Sequence, residues 1–488
     1  MTKRTSKNSP ILVGRKPEQL ELSHALASGK PELIAIYGRR RVGKTYLIRS
    51  FFAQQLCFEL TGVRDAPPAS QLAMFAHGLE TVTRFKHRTP ANWFEAFQEL
   101  TRYLEGRVRN KSRKVVFLDE LPWLASRRSG FLPAFEHFWN SWASKQSDLI
   151  VVICGSAASW MIAKVLHQKG GLHNRVTLSL ALQPFRLGET EDFLKARGVQ
   201  LDRQQIVELY MAVGGVPYYL DHVRKGRSAA QNIDAMFFSR NASLRDEFDK
   251  LFAALFEHHE RHVELIRAMA RKASGLTRQE LVRMSRFPSG GNISNILSEL
   301  ETSGFIHRTI PFGRTTRDSL YRLVDELTLF HLRWLEKSRD RSDGDGQSTR
   351  IRSTPAWHAW SGYAFENVCS RHVPQIKKAL GIAGVRTETS SWRYQSTKAK
   401  ESGAQIDLVI DRRDGVINLC EMKFLDNELI IDKKYAAELH NKLEVFRRIT
   451  ATRKALFLTL VTMNGVKNSE RKAALVQNEV TAGAFFES

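Results

Sequence analysis

One segment near the N-terminus has the residue types and the spacing that phosphate binding requires. Gly38 is followed by four residues and then by Gly43, Lys44 and Thr45. In this G-x-x-x-x-G-K-T pattern the glycines allow backbone N–H groups to close around phosphate oxygens. Lys44 is expected to reach the β- and γ-phosphates of ATP, and the Thr45 hydroxyl to bind Mg²⁺. The backbone of the loop interior is predicted to line the same phosphates, through Arg39, Arg40, Arg41 and Val42.

The segments on both sides of this loop support a nucleotide site. Residues 33–37 are an apolar run typical of a buried parallel strand, and residues 46–52 suit the first turns of a helix. A helix that begins at the loop adds the positive end of its dipole to the phosphate site. The alternative is a basic turn between a strand and a helix, with no ligand.

Two further apolar runs lead into polar residues. The run 114–118 ends in Asp119 and Glu120. Asp119 is placed to bind Mg²⁺, and Glu120 to polarise the water that attacks the γ-phosphate. The run 149–154 is followed by Ser156, which is either a sensor of the γ-phosphate or the water, or an ordinary residue of a turn. A parallel sheet covered by helices on both faces would bring these residues together, because the ends of its strands meet at one edge.

A second group of candidate residues lies near the C-terminus. Asp407 lies in one alternating segment, and Glu421 and Lys423 lie in the next, with turn residues 413–415 between them. The E-x-K spacing puts both side chains on one face of a strand. Two carboxylates can bind Mg²⁺ or Mn²⁺, and a nearby lysine can orient water or stabilise charge on a phosphate. The alternative is a hairpin whose Glu and Lys form a solvent-exposed ion pair.

Length and composition limit the class of protein. A chain of 488 residues is long enough for about two to four domains. No run reaches the roughly 18 apolar residues of a membrane span, so we expect no membrane partner. Residues 1–10 are basic without an apolar core, which predicts a disordered arm and no secretion signal. The four cysteines are scattered without metal-ligand spacing, which favours the reducing cytoplasm.

The charge of the chain predicts a polyanionic partner. Its net charge is +23, from 74 Lys and Arg against 51 Asp and Glu. A positive field of this size attracts polyanions, of which DNA is the first candidate. An anionic membrane surface is the second, although no amphipathic anchor is evident. The alternative is a generally basic proteome, in which the charge has no specific partner.

Four short motifs outside the phosphate loop resemble the archaeal-type ATPases of the AAA+/STAND group. They are the V-G-R-x-x-E box at 13–18, the L-H-N-R-V-T segment at 172–177, the L-Q-P-F segment at 182–185 and the G-G-V-P-Y-Y-L segment at 214–220. The resemblance implies a P-loop ATPase domain with a helical lid over residues 11–250, and it allows a homo-oligomer.

The same resemblance adds four residues to the nucleotide site. They are Gly14, Arg15, Pro217 and Arg175. The first three would line the nucleotide. Arg175 would stabilise charge, either in cis or across a subunit interface, or it is an ordinary surface or ion-pair residue.

Residues 251–336 have the pattern of a winged helix-turn-helix. Residues 292–300 would be the recognition helix, and residues 305–308 and 319–323 the wing strands. This predicts DNA contact through the helix and the wing. The alternative is a structural or regulatory module that packs on the ATPase. The charged, glycine-containing segment 337–350 is predicted to be a flexible linker.

The last segment, 351–488, resembles the restriction-endonuclease-like fold, whose pattern is D…(D/E)-x-K. Asp407, Glu421 and Lys423 match this pattern, and Glu366 matches the glutamate of its first helix. The resemblance implies that Glu366, Asp407 and Glu421 bind the metal. It also implies that Asp407, Glu421 and Lys423 are the catalytic residues of this domain.

Together these patterns predict an α/β protein with three parts. They are a P-loop NTPase parallel sheet with a helical lid, a winged helix-turn-helix, and a C-terminal α/β restriction-endonuclease-like domain. Two functions stay open. In the first, the nucleotide state controls metal-dependent cleavage of DNA. In the second, the protein is a signalling or scaffolding switch whose C-terminal domain binds nucleic acid or a partner without cleavage.

Overall fold

The protein is described by a computed structural model that covers residues 12–106, 113–166, 172, 174–285, 291–336, 346–395 and 403–487. The chain divides into two compact units, of which the first ends at Pro184 and the second begins at Phe185. The predicted ATPase domain with its helical lid, residues 11–250, therefore extends across the boundary between the two units. The predicted basic arm, and residues 337–345 of the predicted linker, lie outside the described residues.

The first unit is built around a five-stranded parallel sheet with strand order β2-β3-β4-β1-β5. The strands are β1 (Glu32–Tyr37), β2 (Leu56–Thr61), β3 (Lys114–Asp119), β4 (Leu149–Gly155) and β5 (Leu178–Ala181). The helices are α1 (Lys16–Ala27), α2 (Lys44–Phe51), α3 (Pro68–Thr83), α4 (Trp93–Gly106), α5 (Leu121–Leu124), α6 (Phe131–Ser141) and α7 (Ala158–Met161). The parallel sheet predicted from the apolar runs is confirmed.

Apolar side chains cover both faces of this sheet, because the central strands are continuous apolar runs. On one face, Leu33 of β1 and Val151 of β4 pack with α3, α4 and α6. On the other face, Ile34 and Val152 pack with α1 and α2. Successive side chains of a strand point to opposite faces, so a strand buried on both sides must be apolar throughout. The strand order places β1 and β3 on either side of β4, and the loops that follow these three strands are neighbours.

The second unit begins with a helical region and continues into a small antiparallel sheet with strand order β6-β8-β7. The first helices are α8 (Leu187–Ala196), α9 (Arg203–Val213), α10 (Pro217–Leu220), α11 (Ala229–Ile233) and α12 (Glu247–Leu255). The next elements are α13 (His259–Ala270), β6 (Leu276–Thr277), α14 (Arg278–Met284), α15 (Gly291–Thr302), β7 (Ile306–Thr309), β8 (Leu320–Leu323) and α16 (Glu326–Phe330).

The predicted recognition helix lies within α15, and the two predicted wing strands pair as β7 and β8. Ile293 and Leu297 of α15 are buried with Leu323 of β8, which fixes the helix against the hairpin. Gly304, with φ of +76°, follows α15, and this backbone conformation favours glycine at the end of a helix. Residues 313–318 at the far end of the hairpin are exposed.

The C-terminal part of the second unit contains a mixed five-stranded sheet with strand order β13-β12-β11-β10-β9. The helices are α17 (Gln347–Arg352), α18 (Pro355–Arg371), α19 (Val373–Ala379), α20 (Lys433–Thr450) and α21 (Glu470–Leu475). The strands are β9 (Thr387–Tyr394), β10 (Ala404–Arg412), β11 (Val416–Lys423), β12 (Ala455–Thr462) and β13 (Asn478–Thr481). Strands β9, β10 and β11 are antiparallel neighbours, whereas β11, β12 and β13 are parallel.

Two helices cover opposite faces of this mixed sheet. Val368 of α18 packs in one apolar cluster with Cys420 of β11. Phe446 of α20 packs in another cluster with Leu419, the next residue of the same strand. Glu421 and Lys423 follow these two residues, at the C-terminal end of the strand.

Two features apply to the whole described chain. All four cysteines, Cys57, Cys154, Cys369 and Cys420, are buried and free of disulfide bonds. Burial raises the pKa of the Cys420 thiol to about 12, so it stays protonated and packs as a small apolar side chain. None of the helices in the described ranges is both long and apolar enough to cross a membrane.

Candidate functional site

The phosphate loop connects β1 to α2, and its two glycines have backbone conformations that other residues rarely adopt. Gly38 has φ of +144°, and a Cβ atom there would lie 2.3 Å from the carbonyl oxygen of Leu182. Gly43, with φ of +91°, is the N-cap of α2. The loop therefore depends on glycine at both ends, and the N–H groups at the start of α2 are available to an anion.

Lys44 is buried at the start of α2, with its ammonium group directed back over the loop. Its Nζ atom donates to the carbonyl oxygens of Gly38 at 2.8 Å and Arg39 at 2.9 Å, and to Ser156 Oγ at 3.2 Å. Only 5% of the residue is exposed. A buried ammonium group needs such acceptors, and a bound phosphate would offer it charged ones at the same place.

The two predicted Mg²⁺ ligands of this site are in contact. Thr45 Oγ1 donates to Asp119 Oδ2 at 2.6 Å, and the other carboxylate oxygen accepts from the backbone N–H of Glu120 at 2.9 Å. Asp119 is buried. A hydroxyl and a carboxylate are oxygen donors of the kind that Mg²⁺ prefers, so these two residues fit a magnesium site beside the loop.

Glu120 has a backbone conformation that is costly for a residue with a side chain. Its φ is +48°, in the left-handed region. This conformation directs its carboxylate to the end of β4, where Oε1 accepts from Ser156 Oγ at 2.5 Å and Oε2 from Ser156 N at 3.3 Å. Ser156 thus links Glu120 to Lys44, and the ends of β1, β3 and β4 meet at one polar site.

Arg15 contacts the backbone around the loop. Its Nη1 atom donates to the carbonyl oxygen of Gln183 at 2.5 Å, and its Nη2 atom to that of Val42 at 2.9 Å. Arg15 is buried, and the neighbouring Gly14 accepts a hydrogen bond from Gln19 Nε2 at 2.6 Å. The structure thus places Arg15 beside the phosphate loop, where it fixes the backbone of Val42.

None of the contacts described above involves Arg175 or Pro217, the other two residues suggested by the resemblance. The Arg175 side chain is exposed, in a turn just before β5. Pro217 begins α10 in the second compact unit. Their roles at the nucleotide stay predictions.

The E-x-K pair lies at the end of β11 in the second unit. Glu421 Oε1 is 3.1 Å from Lys423 Nζ, so both side chains are on one face of the strand, as their spacing predicts. The other oxygen, Oε2, is 2.5 Å from Lys442 Nζ of α20. Glu421 is buried, and its charge is therefore balanced by two ammonium groups.

Asp407 lies next to Glu421 in the sheet. Leu408 of β10 pairs with Cys420 of β11, and Asp407 Oδ2 accepts from the backbone N–H of Met422 at 3.2 Å. The pairing of β10 with β9 shifts in register around this residue, and such irregularities redirect side chains.

The carboxylates around Asp407 affect one another. Burial raises the pKa of Asp407 to about 8, and the negative charges of Glu366 and Glu421 add to the rise, while Lys442 opposes it. Glu366 of α18 is itself paired, with Oε2 lying 2.6 Å from Arg322 Nη2. We call Glu366, Asp407 and Glu421 the acidic cluster.

The acidic cluster is not assembled as a metal site. Within the described ranges, no group of three or more His, Cys, Asp or Glu side chains is placed to hold a metal ion. Glu421 is instead paired with Lys442 and Lys423, and Glu366 with Arg322. The carboxylate oxygens suit Mg²⁺ or Mn²⁺. However, the side chains of Lys442, Lys423 and Arg322 would have to move away before all three carboxylates could bind one metal ion.

The sequence did not predict the part that two residues, Lys442 and Arg322, take in this region. Lys442 lies in a long helix that contains many charged residues, and Arg322 lies in a strand of the preceding module. No motif marks either residue. Only the tertiary structure brings each of them to a carboxylate of the acidic cluster.

The parallel sheet, the glycine loop and the cluster of Lys44, Thr45 and Asp119 together define the site of a P-loop ATPase. Residues 12–223 match the family model of an ATPase domain predominantly from Archaea. This part of the chain is therefore an archaeal-type ATPase domain. The match ends before the small antiparallel sheet and the C-terminal sheet.

Known proteins with similar sequences or structures were also found. The uncharacterized protein MJECL04 of Methanocaldococcus jannaschii is 23% identical over 436 residues, which are 88% of this chain and 92% of that protein. The Walker-type ATPase PABY2304 of Pyrococcus abyssi is 17% identical, with a TM-score of 0.45, over 66% of this chain and 96% of that chain. The ORC2 protein of Aeropyrum pernix, in ADPNP–ADP complexes, is 17% identical, with a TM-score of 0.43, over 66% and 93%.

Proposed function

We propose that this protein hydrolyses ATP with Mg²⁺ in its first unit, binds DNA, and cleaves it with a divalent metal ion in its C-terminal sheet under control of the nucleotide. The observation that supports the cleavage step most directly is the position of Glu421 and Lys423 on one face of β11, next to Asp407 of β10. The nucleotide step is supported by the contacts that join Lys44, Thr45 and their partners at the ends of three strands.

In the nucleotide step, each polar residue of the loop has a separate role. Lys44 binds the β- and γ-phosphates, and Thr45 and Asp119 would hold a Mg²⁺ ion, which would supply positive charge to the phosphate oxygens. Glu120 orients the attacking water and accepts its proton. Ser156, which already bonds both Lys44 and Glu120, relays the presence of the γ-phosphate to that carboxylate.

In the cleavage step, the substrate is a phosphodiester of DNA. Asp407 and Glu421, with Glu366, would hold a divalent ion, which stabilises charge on the phosphate. Lys423 orients the attacking water and stabilises negative charge on the phosphate oxygens. Its ammonium group is suited to this role because Glu421 fixes it at 3.1 Å while 40% of its side chain stays exposed.

DNA binding is proposed for the module formed by α13–α15 and the small sheet. The exposed face of α15 carries Asn292, Ser294 and Asn295, whose side chains can hydrogen-bond to base edges. Arg314 and Arg317 are exposed at the far end of the hairpin, where they can contact phosphates. This arrangement supports the proposal of a winged helix, in which α15 would be the recognition helix.

The net charge of +23 predicts a strong dependence of DNA binding on salt. Because phosphate contacts release counterions, the affinity should fall about 10³-fold or more between roughly 50 and 200 mM salt if about six phosphates are neutralised. The plot of log affinity against log salt concentration has a negative slope. Changing both Arg314 and Arg317 to Gln should reduce the magnitude of this slope by about two. Fluorescence anisotropy with a labelled duplex measures both. Binding that is independent of salt would contradict phosphate contacts as its main source, and absence of binding at low salt would contradict DNA as the partner.

Removal of Asp407 tests the cleavage step. In Asp407→Ala, Mn²⁺ binding at the acidic cluster and cleavage of DNA should be lost together, while ATP hydrolysis continues because its residues lie in the other unit. Lys423→Ala should keep the metal and lose rate, because Lys423 is not a ligand. Gel assays of plasmid cleavage with Mg²⁺ or Mn²⁺, with and without ATP, measure these effects. Asp414→Asn is the matched control, since it removes an exposed carboxylate from the turn between β10 and β11.

The second candidate function is a nucleotide-dependent switch whose C-terminal sheet binds DNA or a partner without cleavage. It is favoured by the ion pairs of Glu421 and Glu366, which balance the acidic cluster without a metal ion. DNA binding without metal-dependent cleavage, at any nucleotide state, would support the switch and contradict the nuclease.

A further inference from the structure

Arg322 connects the small antiparallel sheet to the acidic cluster. It lies on β8, and its Nη2 atom is 2.6 Å from Glu366 Oε2 on α18. Only 17% of the Arg322 side chain and 21% of the Glu366 side chain are exposed. The guanidinium carbon lies 4.5 Å from the centre of the Tyr363 ring, one turn before Glu366 in the same helix. An ion pair so shielded from water is costly to break unless another charge replaces one of its members.

The end of β8 is attached to α18 by hydrogen bonds as well. The Tyr363 hydroxyl donates to the carbonyl oxygen of Leu323 at 2.8 Å, and Asn367 Nδ2 donates to the same oxygen at 3.3 Å. These bonds fix the backbone next to Arg322. The position of the Arg322 side chain at Glu366 is therefore set by the strand that carries it.

The hairpin also contacts the C-terminal sheet through Phe312, which lies between β7 and β8. The backbone N–H of Phe312 donates to the carbonyl oxygen of Ser391 in β9 at 2.9 Å. Its ring lies 5.2 Å from that of Phe446, centre to centre. A ligand that displaces the hairpin must therefore break contacts at two places, and one of these is the Arg322–Glu366 pair.

The charges around the acidic cluster balance without a metal ion. Glu366 is paired with Arg322, and Glu421 is paired with Lys423 and Lys442. Lys423 and Lys442 lie on the sheet and on its covering helix, whereas Arg322 comes from the separate hairpin. Arg322 is thus the cation of the cluster that a movement of the hairpin would remove.

We propose that Arg322 is a gate on the acidic cluster: in the structure described here it holds Glu366, and duplex DNA bound to the β7–β8 hairpin withdraws it and frees Glu366 to bind a divalent metal ion. This proposal rests on the proposed nuclease function and adds its regulation. Metal binding and DNA binding then favour the same hairpin position, so each strengthens the other.

The first test measures Mn²⁺ binding to the full-length protein without nucleotide. Free Mn²⁺ is counted by electron paramagnetic resonance, and the binding that disappears in Asp407→Asn is assigned to the acidic cluster. Arg322→Gln should raise the affinity of this component about tenfold, which corresponds to about 1.4 kcal/mol. Duplex DNA should raise it in the wild type and add little in Arg322→Gln.

Two control variants separate the gate from general effects. Arg413 lies in the turn after β10, and its exposed side chain is 3.0 Å from that of Glu388 in β9. Arg413→Gln removes this positive charge and should not change Mn²⁺ affinity. Tyr363→Phe removes a hydrogen bond between β8 and α18 but leaves the Arg322 charge, and should raise the affinity much less than Arg322→Gln. An equal rise in Arg413→Gln would show a general charge effect and contradict the gate.

A second measurement uses the wild type and does not depend on the folding of any variant. If Mn²⁺ releases Arg322, amide hydrogen exchange in residues 320–323 should become faster at saturating Mn²⁺. Unchanged or slower exchange there would contradict the gate.

The outcomes for the two proposals differ. Absence of Asp407-dependent Mn²⁺ binding in all variants contradicts the nuclease and the gate together. Asp407-dependent binding that Arg322→Gln leaves unchanged or weakens contradicts the gate alone.

Discussion

Replacement of Lys44 by Met is expected to reduce ATP affinity about 100-fold or more. The ammonium group is held over the loop by the carbonyl oxygens of Gly38 and Arg39, where a nucleotide would place its β- and γ-phosphates. Hydrogen bonds to charged groups contribute about 1.5–3 kcal/mol each, and two of them account for this loss. Methionine keeps the length and apolar stem of the side chain, so the change removes mainly the charge. Isothermal titration calorimetry with ATP and Mg²⁺ measures the affinity.

Arg49→Met is the matched control for this prediction. Arg49 lies in the same helix α2, but its side chain is 55% exposed and pairs with Glu59 at the surface. Loss of this charge should change ATP affinity less than about threefold, because exposed ion pairs contribute little. If Lys44→Met binds ATP as tightly as the wild type, the loop does not bind the β- and γ-phosphates through this lysine.

The second large effect is expected for Glu120→Gln, which should bind ATP normally and hydrolyse it about 10²- to 10⁴-fold more slowly. Glutamine has nearly the same shape but cannot accept a proton from water, and general base catalysis contributes a factor of this size. Because Lys44, Thr45 and Asp119 are unchanged, the phosphates and the ion should still bind. Single-turnover hydrolysis and calorimetry on the same preparation separate the two effects.

Asp148→Asn provides the control for Glu120→Gln. Asp148 pairs with Lys114 at 2.9 Å, at the opposite edge of the same sheet, before β4 begins. Its removal should leave both ATP affinity and turnover unchanged. Normal turnover in Glu120→Gln would show that Glu120 is not the base, and that its contact with Ser156 is structural.

The division of the chain was only partly predictable. The apolar runs and glycine punctuation led to the correct parallel sheet in the first unit. The boundary between the two units, after Pro184, lies inside the predicted ATPase domain 11–250, and the helices that follow this boundary pack with α16 and α18 in the second unit. Helical periodicity shows that a segment has an apolar face but does not show which partner covers it, because many faces have the same pattern.

The nucleotide site was predictable because its signals are local. The spacing from Gly38 to Thr45 is covalent, and the positions of Asp119 and Ser156 follow from the ends of two apolar strands. Once the strands are parallel neighbours, these residues must meet at one edge of the sheet. The left-handed backbone of Glu120 was not predictable, because it depends on the packing of the turn that follows β3.

The sequence by itself determined the loop, the parallel sheet and the E-x-K pair, because each depends on residues close together in the chain or on strand periodicity. Only the tertiary structure decided which charges the acidic cluster meets. Lys442 is 21 residues from Glu421, and Arg322 is 44 residues from Glu366. Contacts over such separations depend on how helices and strands pack. The residues around a charged side chain in an amphipathic element do not show whether it will meet a buried partner or solvent.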